Sequence, residues 1–207
     1  MTHLKPYDRS APSPRPGHPI RGILLAAGYG RRFDASGQRD KLLEPLADGR
    51  PVLWHSAHAL CAALPGSIAV VRPGSAERVR WLREAGCEVL ESDAAEQGMG
   101  SALAHAVEAS ATAAGWVVAL ADMPWLPPAV IRAIAEGIDT PESVVAPTCD
   151  GRRGHPVGFG SAWGARLAVL SGDAGARDLL RDAVVRLIPT DERGVLRDID
   201  TPADLGP

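Results

Sequence analysis

The sequence lacks the features that mark several large classes of protein. Its 207 residues include only three cysteines, and no two of them have a CxxC spacing. A disulfide framework or a zinc knuckle is therefore not expected. No apolar run approaches the roughly 20 residues that cross a bilayer. The net charge of -3 predicts no general attraction to nucleic acid or anionic lipid. These absences predict a cytoplasmic protein without a nucleic-acid or membrane partner.

The first 19 residues differ in composition from the rest of the chain. They contain five prolines, at positions 6, 12, 14, 16 and 19, and no apolar segment typical of a signal peptide. This composition is typical of a disordered or polyproline-like arm. We therefore predict a disordered arm over residues 1–19 and a single domain over residues 20–207.

After the arm, short apolar runs alternate with stretches of helical periodicity. The runs predict strands at 20–26, 67–71, 87–90, 116–121, 144–147, 156–159 and 184–188. Helices are predicted at 52–64, 75–85, 101–114, 127–136, 162–170 and 174–182, with Ser75 as a cap of the second. This order predicts an α/β protein with a mostly parallel sheet. Such sheets bind ligands outside the carboxyl ends of their strands.

The segment that follows the first strand is the richest in chemical signals. It opens with small residues that let backbone N–H groups approach a phosphate: Ala26, Ala27, Gly28 and Gly30. Cationic side chains follow at Arg31, Arg32, Arg39 and Lys41. A dinucleotide fingerprint would need glycine where Phe33 stands, and no Walker loop is present. The segment predicts a triphosphate site; the alternative is a flexible loop with solvated basic residues.

Two aspartates at the ends of apolar runs are candidate metal ligands. Asp122 directly follows the predicted strand 116–121, and Asp200 lies after the last run. Mg²⁺ prefers oxygen ligands and is held by one or two carboxylates together with substrate phosphates. The pair could share an ion only if the tail folds back to the crevice. The alternatives are a cap or turn at Asp122 and a turn at Asp200. Asp198 is expected to be solvated.

Two glycine-rich segments leave more than one interpretation open. Gly98, Gly100 and Ser101 precede a predicted helix, whose N-terminal N–H groups are donors for a ligand. A simple helix start explains the same pattern. The segment 151–157, GRRGHPV, is either an anion-binding loop or a plain hairpin.

The segment LAAG at 25–28, followed by Arg32, Phe33 and KLL at 41–43, resembles a family signature. Its usual form is LAAGxSxRMGxxK, found in the nucleotidyltransferases that mature molybdopterin, the molybdenum cofactor cytidylyltransferases among them. GMGSAL, LADMP, RGHPV, GDAGAR and DIDTPADL resemble further segments of that family in the expected order. The resemblance implies a three-layer Rossmann-like nucleotidyltransferase fold. Residues 34–40 lengthen the loop before Lys41 relative to the signature.

The resemblance also implies roles for individual residues. Those implied to bind the nucleotide are Ala26, Ala27, Gly28, Arg32, Lys41, Gly98, Gly100 and Ser101. Within that set, Ala27 and Gly28 would donate backbone N–H groups to the triphosphate, and Gly98, Gly100 and Ser101 would read base and ribose. Arg32, Lys41 and Asp122 are implied to be catalytic, and Asp122 and Asp200 are implied to hold Mg²⁺.

The implied reaction moves CMP from CTP onto the terminal phosphate of the molybdenum cofactor and releases pyrophosphate. Ala27 favours CTP over GTP, because guanylyl-transferring relatives typically carry a second glycine there. Three alternatives stay open: guanylyl transfer, transfer to a sugar phosphate or another small phosphorylated metabolite, and a non-catalytic cofactor chaperone. A molybdoenzyme or its accessory protein is the expected protein partner.

Overall fold

An eight-stranded sheet organises the computed structural model, which describes residues 19–173 and 175–206. The predicted arm lies outside the described residues except for Pro19. The strands are β1 Ile20–Leu25, β2 Ile68–Val71, β3 Glu88–Glu91, β4 Gly115–Leu120, β5 Val144–Cys149, β6 Arg152–Arg153, β7 Val157–Gly160 and β8 Arg186–Pro189.

The strand order is β3-β2-β1-β4-β7-β5-β6, and β8 pairs with β5. Strands β1 to β4 pair in parallel, whereas β7 runs antiparallel between β4 and β5. The prediction of an α/β fold with a mostly parallel sheet is confirmed. Because β1 and β4 are parallel neighbours, the turns that follow them lie side by side at one edge of the sheet.

Helices cover both faces of the sheet. They are α1 Val52–Ala63, α2 Ala76–Glu84, α3 Met99–Ala109, α4 Pro128–Glu136, α5 Gly164–Ala168 and α6 Arg177–Asp182. Adjacent residues of β1 belong to different hydrophobic clusters: Leu24 packs in the cluster of Leu53 and Ile131, and Ile23 in that of Leu103 and Leu167. Successive strand side chains point to opposite faces. The sheet is therefore the middle of three layers.

Several element boundaries differ from the prediction. Ser75 is the N-terminal flanking residue of α2, but its side chain makes no capping hydrogen bond, so that prediction is wrong. Helix α3 ends at Ala109 and not at the predicted residue 114. At its end Ser110 donates its hydroxyl to the Ala106 carbonyl and accepts a hydrogen bond from the Trp116 indole. Strand β6 was not predicted, and it makes 151–157 part of a hairpin with β5.

Two cysteines that are far apart in sequence meet in the fold. Helix α1 ends beside the start of β3, which brings the Sγ atoms of Cys61 and Cys87 to 3.0 Å as free thiols. In the described part of the chain, no helix combines the length and the apolar character needed to span a membrane.

Candidate functional site

A cavity of about 260 Å³ opens where β1 and β4 end. Leu25 pairs with Leu120 at the carboxyl ends of the two strands, so both following turns face the same space. The cavity is lined by residues from those turns and from the C-terminal tail, among them Ala27, Gly28, Gly30, Lys41, Asp122 and Asp200. The fold thus brings the predicted phosphate turn and both predicted metal ligands to one place.

The small residues after β1 have different surroundings. Gly28 lines the cavity and no atom lies where its Cβ would be, whereas Gly30 adopts a positive φ of 65° that favours glycine. Ala26 is buried, and its N–H donates to the Val70 carbonyl at 3.0 Å. Its amide is therefore engaged in the sheet, while the residues that follow it face the cavity.

A buried lysine links the turn to the aspartates. Lys41 Nζ lies 2.7 Å from Asp122 Oδ2, 2.8 Å from the Ile199 carbonyl oxygen and 3.5 Å from Asp200 Oδ1. The Lys41 side chain is only 10% exposed, which reduces the screening of these charges by water. Arg32, which is largely exposed, forms a salt bridge with Asp200 from the solvent side. Two cations and two carboxylates therefore form one network at the mouth of the cavity.

The C-terminal tail folds back to the crevice, which was the condition for a shared metal site. The Ile199 N–H donates to the Asp122 carbonyl at 2.9 Å, and the His155 N–H donates to the Val195 carbonyl at 2.9 Å. Gly194 approaches the chain so closely that a Cβ there would overlap the Trp125 carbonyl. These backbone contacts fix the tail between the segment that follows β4 and the short segment between β6 and β7.

A third carboxylate joins the predicted pair. Ligand oxygens of Asp122, Asp198 and Asp200 all lie within 4.8 Å of one another, a spacing at which they could hold one ion. Asp198, which is exposed, was expected to be merely solvated. Side chains alternate in an extended segment, so an apolar Ile199 between two aspartates was the sequence signal that both carboxylates face the same way.

The chemistry of this cluster fits a divalent cation. All three side chains offer carboxylate oxygens, the ligand type that Mg²⁺ and Mn²⁺ prefer. Asp122 Oδ1 is buried without a hydrogen-bond partner among the described residues. A buried carboxylate oxygen without a partner is costly, and a bound cation would remove that cost.

The predicted base-reading segment reaches the cavity only in part. Gly98 lines it and has a φ of 123°, and a Cβ there would overlap the Gly172 backbone. The Gly100 N–H already donates to the Gly172 carbonyl at 2.7 Å. Ser101 is buried in the first turn of α3 and is not among the lining residues. Contact of Gly100 or Ser101 with a nucleotide therefore stays a prediction.

A second cavity, of about 200 Å³, adjoins the first. Both are lined by Leu25, Met99, Leu120 and Asp173. Apolar side chains such as Phe159 form most of the wall of this second cavity, and Arg153, His155 and Arg177 supply polar groups. Burial lowers the pKa of His155 against the opposing effect of Asp122 and Asp198, so the imidazole is held towards its neutral form.

The lengthened loop before Lys41 is ordered by its own hydrogen bonds. Asp34 accepts hydrogen bonds from the Ser36 hydroxyl and from the N–H groups of Ser36 and Arg39, which lower its pKa to about 2. Arg39 forms a two-pronged contact with Glu44, at 3.0 and 2.7 Å. Arg39 is thus bound within the loop and does not line the larger cavity.

A sequence profile of the MobA-like NTP transferase domain matches residues 22–188. The chain belongs to the MobA-like NTP transferase family. The matched residues include the turn after β1, Lys41 and Asp122, and they end before Asp198 and Asp200. The NTP transferase assignment agrees with the cavity, in which small residues and cations face carboxylates at the ends of parallel strands. A comparison with curated protein sequences finds no significant match.

Several solved structures share this fold, a nucleotidyl transferase among them. Rv0371c from Mycobacterium tuberculosis is 29% identical over 90% of this chain and 95% of its own, with a TM-score of 0.73. The same protein in complex with manganese superposes with a TM-score of 0.69 at 26% identity, over 90% and 95% of the two chains. A nucleotidyl transferase from Methanothermobacter thermautotrophicus reaches a TM-score of 0.76 at 23% identity, over 91% and 94%. This NTP transferase therefore has the Rossmann-like nucleotidyltransferase fold along almost its whole length.

Proposed function

We propose that this NTP transferase moves CMP from CTP onto the terminal phosphate of the molybdenum cofactor and releases pyrophosphate. One observation carries the proposal: Lys41 Nζ contacts Asp122, which lies just after β4, in the cavity formed by the small residues that follow β1. That arrangement places a cation, a carboxylate and free backbone N–H groups around one space. A nucleoside triphosphate with a divalent ion needs each of these partners.

Asp122 and Asp200, together with Asp198, would hold the Mg²⁺ ion. The mutual distance of their oxygens and the partnerless Oδ1 of Asp122 support this role. The manganese complex of the relative Rv0371c supports divalent-metal use in this fold. When bound, the ion withdraws charge from phosphate oxygens and helps to orient the triphosphate.

The residues of the chain would act by positioning and by charge. An oxygen of the acceptor phosphate attacks the α-phosphorus and forms a new P–O bond. The bond from the α-phosphorus to the oxygen bridging to the β-phosphate breaks in line with it. Lys41 and Arg32 would neutralise the charge that gathers on the leaving pyrophosphate. An acceptor phosphate is ionised at neutral pH, so no general base is required.

The second cavity supports an acceptor that combines an apolar or ring-shaped body with anionic groups. Its wall contains Phe159 and Val157, and its cations are Arg153 and Arg177. It shares Met99 and Asp173 with the larger cavity, so an acceptor held there would lie next to the triphosphate. Molybdopterin has this combination of a ring system and a terminal phosphate. Ala27, in place of a second glycine, supports CTP as the donor.

Pyrophosphate release tests the proposal directly. Purified protein is incubated with Mg²⁺, molybdopterin and either CTP or GTP, with Asp122→Asn as the matched inactive control. We expect release with CTP in the presence of molybdopterin and a loss of release in the variant. If pyrophosphate is released with GTP and molybdopterin but not with CTP and molybdopterin, the donor is GTP and not CTP. If release requires a sugar phosphate in place of molybdopterin, the sugar phosphate is the acceptor. Tight molybdopterin binding without release from any nucleotide would support the chaperone alternative.

A further inference from the structure

Helix α2 carries a buried arginine that the reaction described above does not use. Arg78 is 4% exposed, whereas Arg80 and Arg83 of the same helix are exposed. A guanidinium ion is removed from water at a high cost unless its N–H groups are paired. The partners of Arg78 therefore show what the burial achieves.

Arg78 donates hydrogen bonds to both ends of the predicted phosphate-binding segment, which runs from Ala26 to Lys41. Its Nε and one terminal nitrogen donate to the two carboxylate oxygens of Asp40, at 2.6 and 2.8 Å. Its terminal nitrogens also donate to the carbonyls of Ala26, at 2.7 Å, and Gly28, at 3.1 Å. One side chain is thus bonded to both the turn after β1 and the residue before Lys41.

The two carbonyl contacts fix how the turn presents its amides. In a planar trans peptide the N–H of the next residue points opposite to the carbonyl. With the Ala26 and Gly28 carbonyls directed at Arg78, the N–H groups of Ala27 and Tyr29 point away from α2. Ala27 and Tyr29 line the larger cavity and Arg78 does not. Arg78 therefore orients backbone donors on the far side of the turn from itself.

The contact with Asp40 fixes the start of the Lys41 segment. The Asp40 carboxylate accepts a hydrogen bond from the Leu42 N–H at 3.0 Å in addition to those from Arg78. The residues immediately before and after Lys41 are therefore both tied to this carboxylate. From this fixed backbone the Lys41 side chain reaches Asp122. A two-pronged carboxylate contact constrains orientation as well as distance, which a lysine at position 78 could not do.

We propose that Arg78 is a positioning residue for the nucleoside triphosphate. It fixes the backbone N–H groups of the turn after β1 and the backbone of Lys41 in position relative to each other. The inference rests on the proposed function, because the ligand of that turn is taken to be the triphosphate. Arg78 contacts neither the reacting atoms nor the cavity, so its effect is transmitted through Ala26, Gly28 and Asp40.

Nucleotide binding in the absence of any acceptor tests this role. The Kd of CTP with Mg²⁺ is measured by calorimetry for wild type, Arg78→Lys and Arg78→Ala, with Arg80→Ala as the control on the exposed face of the same helix. We expect the Kd to rise at least about tenfold in both Arg78 variants, the scale of losing one charge-assisted contact network. Arg80→Ala should bind like wild type. Added guanidinium ion at low millimolar concentration should restore part of the affinity of Arg78→Ala.

Steady-state kinetics add a readout that general destabilisation would not give. At temperatures well below each variant's Tm, the KM for the nucleotide should rise and kcat/KM should fall roughly 100-fold, the cost of a small misplacement of reacting groups. The KM for the acceptor should not change. If Arg78→Ala does not fold, Arg78→Lys and Asp40→Asn supply the same comparison.

The outcomes separate this inference from the function on which it rests. Folded Arg78→Lys that binds CTP like wild type overturns the positioning role and leaves the proposed function intact. Wild-type protein that binds no nucleotide overturns the proposed function and this inference with it. An equal rise of the KM for nucleotide and acceptor would show a merely structural role and would also overturn the inference.

Discussion

The two adjoining cavities differ in what their charged side chains do. In the larger one, Lys41 and Arg32 already contact carboxylates of the same cavity. The smaller one is lined mostly by apolar side chains such as Phe159, and its charged residues are Arg153, Arg177 and Asp173. The paired charges of the larger cavity suit a reaction in which charge develops on phosphate oxygens. The mixed lining of the smaller cavity suits binding of an acceptor with an apolar part and an anionic group. The difference supports our proposal that phosphoryl chemistry takes place in the larger cavity and that the acceptor is recognised in the smaller one.

The largest expected effect comes from the carboxylate nearest to Lys41. Asp122→Ala should lower kcat by at least ~100-fold, because an essential electrostatic partner is lost where charge develops. Pyrophosphate release under saturating substrates measures it. Affinity for the acceptor, which the smaller cavity is proposed to bind, should stay unchanged. A near-wild-type kcat in this variant would remove Asp122 from the mechanism.

Metal affinity should depend on both tail aspartates. We expect Asp200→Asn and Asp198→Asn each to raise the Kd for Mn²⁺ about tenfold or more, since each removes one anionic ligand of the cluster. Titration of free Mn²⁺ by electron paramagnetic resonance measures this value without turnover. Asp191→Asn, an exposed residue of the same tail, is the matched control. Unchanged affinity in Asp198→Asn would return that residue to the solvated role predicted from sequence.

The smaller cavity should be separable from the larger one by mutation. Arg177→Gln is expected to raise the KM for the acceptor about tenfold, the scale of one hydrogen bond to a charged group. The Kd for CTP should not change, because Arg177 lines only the smaller of the two cavities. Initial rates at varied acceptor and calorimetry with CTP measure the two quantities. A parallel loss of nucleotide affinity would contradict the division of the crevice.

The smallest effect concerns the lengthened loop. Hydrogen bonds from Ser36 and Arg39 lower the pKa of Asp34 from 3.8 to about 2. Because the folded value lies below the unfolded one, this carboxylate favours the folded loop above about pH 4, and the contribution is lost as pH falls through about 2. Carbon-13 NMR of the Asp34 carboxyl should give a midpoint near 2. Ser36→Ala should move it towards 3.8, and a wild-type midpoint near 3.8 would show that the loop is not ordered in this way.

Much of the fold could be predicted because local pattern and burial agree. The apolar runs at β1 and β4 and the helical periodicity of α1 and α4 lie within a residue or two of the predicted bounds. The boundaries that differ depend on tertiary contacts. Helix α3 ends at Ala109, where the Trp116 indole donates to the Ser110 hydroxyl, and no local pattern predicts that pairing.

The site was predictable where its parts are local in sequence. The turn after β1 and Lys41 lie within one segment, and Asp122 directly follows a buried strand. The surroundings of Asp198 and Arg78 were not predicted, because they depend on residues that only the fold brings close. Nothing in the periodicity of α2 indicates that Asp40 lies opposite Arg78. The polar–apolar–polar order around Ile199 was the local sequence signal for Asp198.

The proposed site is tested most directly by a crystal structure with Mn²⁺ and a non-hydrolysable CTP analogue, in which anomalous scattering locates the ion. We predict an ion bound by Asp122 and Asp200, with phosphate oxygens against the N–H groups of Ala27 and Gly28. An ion bound elsewhere, or a triphosphate held away from this turn, would contradict the proposed site.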